Sequence, residues 1–311
     1  MVLYSAPGKI ILFGEHAVVY GKPAIAIAVE KRVWVKADHQ KGKLTKVNGY
    51  PINREHHSYI MEALDLVGIK ESLSMETGGD LPSGSGLGSS ASVTVATLAA
   101  LHSLNQDQPS MEDIAKEGFE IELKVQGSAS PIDTSTVTHG GGIMLYHKKR
   151  GNFLWKIEKE DRFWNVHSCQ IPEMSLVVGH TGIHASTPPL VRKVRKFYER
   201  SGFAREVVEE IGEIVEEGVI ALERGDLEAI GKLMDRDHNL LKILGVSHPM
   251  LDTLVKGVKK YSYGAKLTGA GGGGAMIALT DEPNKVAQII QKWGGKPFIV
   301  EPACKGVIRE D

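Results

Sequence analysis

The stretch Pro82, Ser83, Gly84, Ser85, Gly86, Leu87, Gly88, Ser89, Ser90, Ala91 combines three alternating glycines with several hydroxyls. Glycines at that spacing let the backbone turn tightly and approach a ligand with no Cβ in the way. The apolar, small-residue run that follows, residues 89–104, has the length of a buried helix. Its unpaired amides and positive dipole end would face the space enclosed by the loop, which suits phosphate. Ser89 and Ser90 add oxygens for phosphate or for a metal ion. No Lys-Ser/Thr pair follows the glycines, so this is not a Walker A loop, and the setting is not that of a dinucleotide fingerprint. A plain Gly/Ser connection between elements is the alternative.

Three other groups of residues have chemical potential. The tract from Leu267 to Ala275 holds five glycines in six residues, at 269–274. Ordering so many is entropically expensive, which points to close backbone approach to a ligand or to the first loop; a flexible hairpin is the alternative. Lys9 opens an apolar run that ends in Gly14-Glu15-His16, where each polar residue alone reads as a solvated charge or a satisfied histidine. Glu122 falls near the end of a helical pattern, against the helix dipole, where a bound cation would relieve it. Asp133 follows a loop of small residues, placed either to cap the next segment or to act as a base.

These groups need elements to hold them. Residues 9–13, 24–29 and 32–37 read as strands, 57–67 as a helix and 72–77 as a strand leading into the Gly-rich loop. A second helix is expected over 111–124, with Ser110 as N-cap and Asp113 completing a capping box. Residues 140–146 and 153–157 read as a hairpin around 148–152. The second half begins with a strand at 174–179 and continues with helices over 189–200, 205–224, 227–244 and 250–261. Strand, strand, helix and strand close it, at 265–267, 275–279, 283–293 and 296–300. Two α+β lobes result, 1–170 with the phosphate loop and 171–311. Arg192, Lys193, Arg195, Lys196 and Arg200 share one of these helices, as a solvated face or as holders of an anionic substrate.

With 42% hydrophobic and 24% charged residues, 311 residues can bury a substantial core. Lys plus Arg is 37 against 38 Asp plus Glu, so no basic excess points to nucleic acid. Two distant cysteines form neither a disulfide framework nor a metal motif. Residues 1–8 lack the pattern of a signal peptide, and no apolar run reaches the ~18 residues of a membrane span.

Together the segments 7–16, 82–91 and 266–274 resemble, in order and spacing, the three motif regions of the GHMP kinases. Within them, Gly14-Glu15-His16-Ala17-Val18-Val19-Tyr20-Gly21 is similar to the first motif of the mevalonate kinase family, and Glu122 to Asp133 keeps that family's interval. One departure is Ala275, where many members carry Cys. The resemblance implies an N-terminal lobe like ribosomal protein S5, a ferredoxin-like C-terminal lobe and an active site between them. It implies a cytoplasmic enzyme of isoprenoid biosynthesis, free of membrane and nucleic acid and compatible with a homodimer, that phosphorylates the 5-hydroxyl of mevalonate with ATP. By the same resemblance Pro82 to Ala91 would cradle ATP, and Ser90 and Glu122 would hold Mg²⁺. Asp133 would be the base with Lys9 beside it, and Glu15, His16, Thr181, Gly271 and Gly272 would face the acceptor. Kinases acting on phosphomevalonate, homoserine or a sugar are the nearest rivals, followed by a decarboxylase on the same fold and a non-catalytic nucleotide-binding regulator.

Overall fold

Hydrophobic patterning carries the chain into two sheets with helices packed against them, in a computed structural model that describes residues 1–42, 44–81, 86–127, 129–184 and 187–310. The first lobe runs β1 (Val2–Phe13), a 3₁₀ turn (Ala17–Tyr20), β2 (Ala24–His39), β3 (Lys46–Val47), β4 (Tyr50–Pro51), α1 (Arg54–Val67), β5 (Leu73–Gly79), α2 (Ser89–Leu104), α3 (Met111–Gln126), α4 (Ile132–His139), β6 (Gly142–Tyr146), β7 (Phe153–Lys159) and β8 (Arg162–Cys169). The second runs β9 (Ser175–His180), α5 (Thr187–Arg200), α6 (Gly202–Arg224), α7 (Leu227–Ile243), α8 (Pro249–Val258), a 3₁₀ turn (Lys259–Tyr261), β10 (Gly264–Thr268), β11 (Ala275–Thr280), α9 (Pro283–Lys292) and β12 (Lys296–Val300). A last strand, β13 (Ile308–Arg309), returns to the first sheet beside β1. No helix among the described residues is long and apolar enough to cross a membrane.

The strands expected over 24–29 and 32–37 are one long strand. β2 takes β1 along one edge and divides its other edge between β5 and β6. The β1–β2 register shifts between Pro7 and Gly8, where Pro7 faces Arg32 and Gly8 faces Val29. The hairpin expected between 140–146 and 153–157 does not form. β8 lies between β6 and β7 and pairs with both. Trp164, Asn165, Val166 and His167 are buried in succession, so this central strand lacks the alternation that would have revealed it. α4 was also absent from the sequence reading, because Thr and Val are weak helix formers. Two of its hydroxyls bond back along the chain, Thr136 Oγ1 donating to the Ile132 carbonyl at 2.6 Å and Thr134 Oγ1 to the Pro131 carbonyl at 3.4 Å. α3 carries the expected capping box of Ser110 and Asp113.

The second sheet is antiparallel throughout, in the order β10-β11-β9-β12. Counted within the lobe this is 2-3-1-4, the ferredoxin-like arrangement, with four helices in its first crossover. One apolar cluster spans both lobes, from Leu12, Phe13 and Ile25 to Val178, Val208 and Leu267. Phe13 is fully buried, worth about 1.5–3 kcal/mol. It lies so close to α6 that a Cβ on Gly218 would stand 2.8 Å from its ring. The junction under the cleft is therefore core, which fixes the geometry above it.

Candidate active site

Lys9 is placed by backbone contacts on both sides. Its residue pairs with Ala28 of β2, and on the open edge of β1 its amide donates to the Leu87 carbonyl at 2.8 Å. Ser92 Oγ, in the first turn of α2, donates to the Pro7 carbonyl at 2.7 Å. These bonds hold the N-terminus of α2 against β1. Gly88 caps that helix at φ 78°, and a Cβ there would sit 2.7 Å from Lys9 Cγ. Only glycine allows both the left-handed turn and this approach. Lys9 Nζ reaches Asp133 Oδ2 at 2.9 Å, and Asp133 occupies the first turn of α4, where a carboxylate is favoured by the dipole.

Glu122 lies one turn from the C-terminus of α3, 4% exposed, with Gln126 Nε2 donating to its Oε1 at 3.1 Å. Burial pushes its carboxyl up to about 8; the charge of Asp133 adds to this and Lys9 opposes it. A buried carboxylate in that state lacks positive charge. Among the described residues no three His, Cys, Asp or Glu side chains gather as a metal cage. Mg²⁺ commonly takes one or two carboxylates and completes its shell with phosphate oxygens and water, so Glu122 with the nearby Ser90 suits that ion.

Lys9, Glu122, Asp133, Glu15, His16, Ser89 and Ser90 line one cavity of about 390 Å³, together with Gly86, Gly88 and Gly271. Leu87 and Ala91 are buried in the cores behind it. Pro82, Ser83, Gly84 and Ser85 lie outside the described residues. The glycine tract forms the facing wall. Five of its glycines have positive φ, and a Cβ on Gly271 would stand 2.0 Å from the Val246 carbonyl oxygen. The tract is pinned: Gly272 N–H donates to Val246 and Gly274 N–H to Ile183. Gly272 and Thr181 are not among the cavity-lining residues. Thr181 Oγ1 donates to the Gly274 carbonyl at 2.9 Å and accepts from the Ile183 amide at 3.2 Å, so its hydroxyl braces the wall.

His16 has φ 62° and presents Nε2 to the Ala270 carbonyl at 3.0 Å. A carbonyl only accepts, so Nε2 carries the proton and Nδ1 is left as an acceptor. Burial pushes the imidazole below its ordinary range, against the Ala270 bond, and Lys266 pushes it further down. Glu15 is committed elsewhere. It pairs with Lys266 of β10, whose Nζ also lies 3.2 Å from Asp237 Oδ2 of α7, all three side chains being buried. Burial pushes Glu15 up to about 7 and raises Asp237 as well, with Lys266 opposing both. Thr268 adds a reciprocal bond across the lobes, accepting from Ile11 N–H at 3.1 Å and donating to the Ile11 carbonyl at 2.9 Å.

The sequence reading overlooked Asp237, Arg162, Trp164 and His184. Asp237 and Lys266 are 29 positions apart on different elements, with no local signal joining them. Arg162 and Trp164 belong to the unread strand. Of the basic helix α5, Thr187 and Val191 reach the cavity, while Lys193 donates to the Gly245 carbonyl at 2.5 Å.

A family model described as the GHMP kinases N terminal domain matches residues 57–141, and one described as GHMP kinases C terminal matches 219–299. The mevalonate kinase of Thermococcus sibiricus is 37% identical over all of this chain and 98% of its own length. That of Pyrococcus furiosus is 38% identical with the same coverage. Among solved structures, L. major mevalonate kinase in complex with R-mevalonate is similar at TM-score 0.80 and 27% identity, over 96% of this chain and 94% of that one.

Proposed function

The chain belongs to the GHMP kinase family, in its mevalonate kinase branch, and from that premise we propose that it transfers the γ-phosphoryl group of ATP to the 5-hydroxyl of mevalonate, releasing 5-phosphomevalonate and ADP. The carrying observation is the Lys9–Asp133 pair, 2.9 Å apart in a cavity that the N-terminus of α2 also lines. That juxtaposes a base and a cation with a phosphate site, the set that phosphoryl transfer to an alcohol requires.

In this reading the α2 amides and Ser89 hold the ATP phosphates. Asp133 takes the proton of the 5-hydroxyl as the oxygen attacks, and Lys9 offsets the negative charge growing there. Glu122 and Ser90 would hold Mg²⁺, which would supply positive charge to the phosphates. The acceptor lies toward His16, whose free Nδ1 accepts from the tertiary hydroxyl of mevalonate. Thr181, Gly272 and Glu15 act through others: the first two shape the glycine wall, and Glu15 fixes the loop that carries His16. We draw the lobe boundary at 170/171, supported by the passage from β8 to β9 between Cys169 and Ser175. Cytoplasmic location belongs to the same proposal, supported by two free cysteines.

The test is Mg²⁺-dependent ADP release with mevalonate, phosphomevalonate, homoserine, galactose and shikimate as acceptors. Mevalonate is expected to be turned over with the highest kcat/KM. Faster turnover of another acceptor refutes the assignment.

A further inference from the structure

We propose that Arg162 receives the carboxylate of the acceptor and thereby selects mevalonate over alcohols that lack one, an inference that rests on the kinase reading above. Mevalonate is an anion, and the cavity that accepts it must supply positive charge at the end remote from the reacting hydroxyl. Most of the cations nearby are committed. Lys9 is bound to Asp133, Lys266 is buried between Glu15 and Asp237, and Lys193 is bound to the Gly245 carbonyl. His16 does not serve, because burial disfavours its charged form and its one N–H is engaged by Ala270. Its remaining nitrogen is an acceptor, which matches a hydroxyl and repels a carboxylate.

Arg162 remains. It lines the cavity at the start of β8, with its guanidinium carbon 5.5 Å from the centre of the Trp164 ring. Among the described residues its guanidinium has neither a carboxylate partner nor a hydrogen bond. A cation–π contact places the guanidinium over the indole face and leaves its N–H donors unspent. Five donors in a planar fork match the two oxygens of a carboxylate.

Its position fits the acceptor end. Trp164 packs in the cluster of Val18, Phe119 and Ile132, onto which Val19 and Ala129 also pack. Leu87 and Ala91, from the phosphate loop, belong to the other two clusters. Trp164 thus ties Arg162 to the segment following His16 and to the approach to Asp133. His184 also lines the cavity, at its exposed mouth, and is the rival.

The experiment compares mevalonate with 3-methylpentane-1,3,5-triol, the same skeleton with the carboxylate replaced by a hydroxymethyl group, in the ADP-release assay. The wild-type enzyme is expected to prefer mevalonate about tenfold or more in kcat/KM, the size of a charge-assisted contact. Arg162→Gln is expected to lose most of that preference through a higher KM for mevalonate, with KM for ATP and the triol kinetics held within about twofold. Arg162→Lys should restore part of it, as a point charge without the fork. Arg162 is exposed, so none of these variants asks the core to repack. An unchanged preference in Arg162→Gln, a matching rise in KM for ATP, or loss of the preference in His184→Ala instead overturns the assignment. A wild-type enzyme idle with mevalonate overturns the kinase reading, and this inference with it.

Discussion

Replacing Lys266 by Met removes the cation that, among the described residues, pairs with two buried carboxyl groups. Its Nζ is fully buried, bound to Glu15 and 3.2 Å from Asp237 Oδ2. Deleting one partner of a buried ion pair costs about 3–5 kcal/mol, because the remaining charge is left without compensation. At about 2–4 °C per kcal/mol for domains of this size, the melting temperature should fall by about 6–20 °C. The loss should also depend on pH. Glu15 is raised from 4.5 to about 7, so between those values the folded chain holds a proton that the unfolded chain has released. Stability from such a group is present below 4.5 and is lost as pH rises through about 7. Without Lys266 both carboxyls move higher still, so the deficit should be smaller at about pH 5, where Glu15 is protonated, and larger at about pH 8. Thermal melts of wild type and variant at those two pH values provide the assay. Adding Glu15→Gln and Asp237→Asn should recover part of the loss, since no buried charge then remains. A shift under about 2 °C at the higher pH, or a deficit equal at both, would mean that the cluster carries little net electrostatic energy.

Asp133→Asn should lower kcat by about 10²–10⁴-fold with KM for ATP nearly unchanged; a loss smaller than about tenfold in steady-state kinetics removes Asp133 from the base role. Glu122→Gln should raise the Mg²⁺ concentration needed for half-maximal activity. In the wild type that requirement should ease as pH rises toward about 8, where Glu122 gives up its proton, and the Gln variant should lack this trend. Matching Mg²⁺ titrations in both would assign Glu122 to structure alone. His16→Ala should weaken mevalonate by about 1–3 kcal/mol, read as a rise in its KM well above any change for ATP. Equal shifts in both KM values, with an intact circular dichroism spectrum, place His16 outside the acceptor pocket.

The sequence disclosed most about segments whose side chains do one thing. The phosphate-loop helix, the capped helix beginning at Ser110 and the four helices of the second lobe have unmixed patterns, and each forms within a few residues of its expected bounds. β8 and α4 escaped because their local preferences are overruled: β8 is buried on both faces, and α4 is built from Thr and Val held by tertiary contact. The candidate site divides in the same way. Lys9, Glu122 and Asp133 were legible because each is an unusual residue beside a glycine-rich or small-residue segment. The Lys266–Asp237 pair and Arg162 were not, because their meaning depends on which strands and helices end up adjacent. Glu15 and Thr181 show a subtler limit, since a motif reveals that a residue matters without revealing whether it touches substrate or braces what does.

Under the proposed function, the register shift between β1 and β2 at Pro7 and Gly8 makes chain length, as much as residue identity, a determinant of activity. Side chains on a strand alternate faces, so Lys9 meets Asp133 only because an even count separates it from the residues that share its face. Substitutions along this strand alter packing by degrees. A single inserted or deleted residue between the shift and Lys9 would exchange the lysine for an apolar neighbour, Gly8 or Ile10, and turn the cation toward the opposite side of the sheet. The constraint at this point is therefore all-or-none: β1 can accept changes in its residues but not a single step in its length.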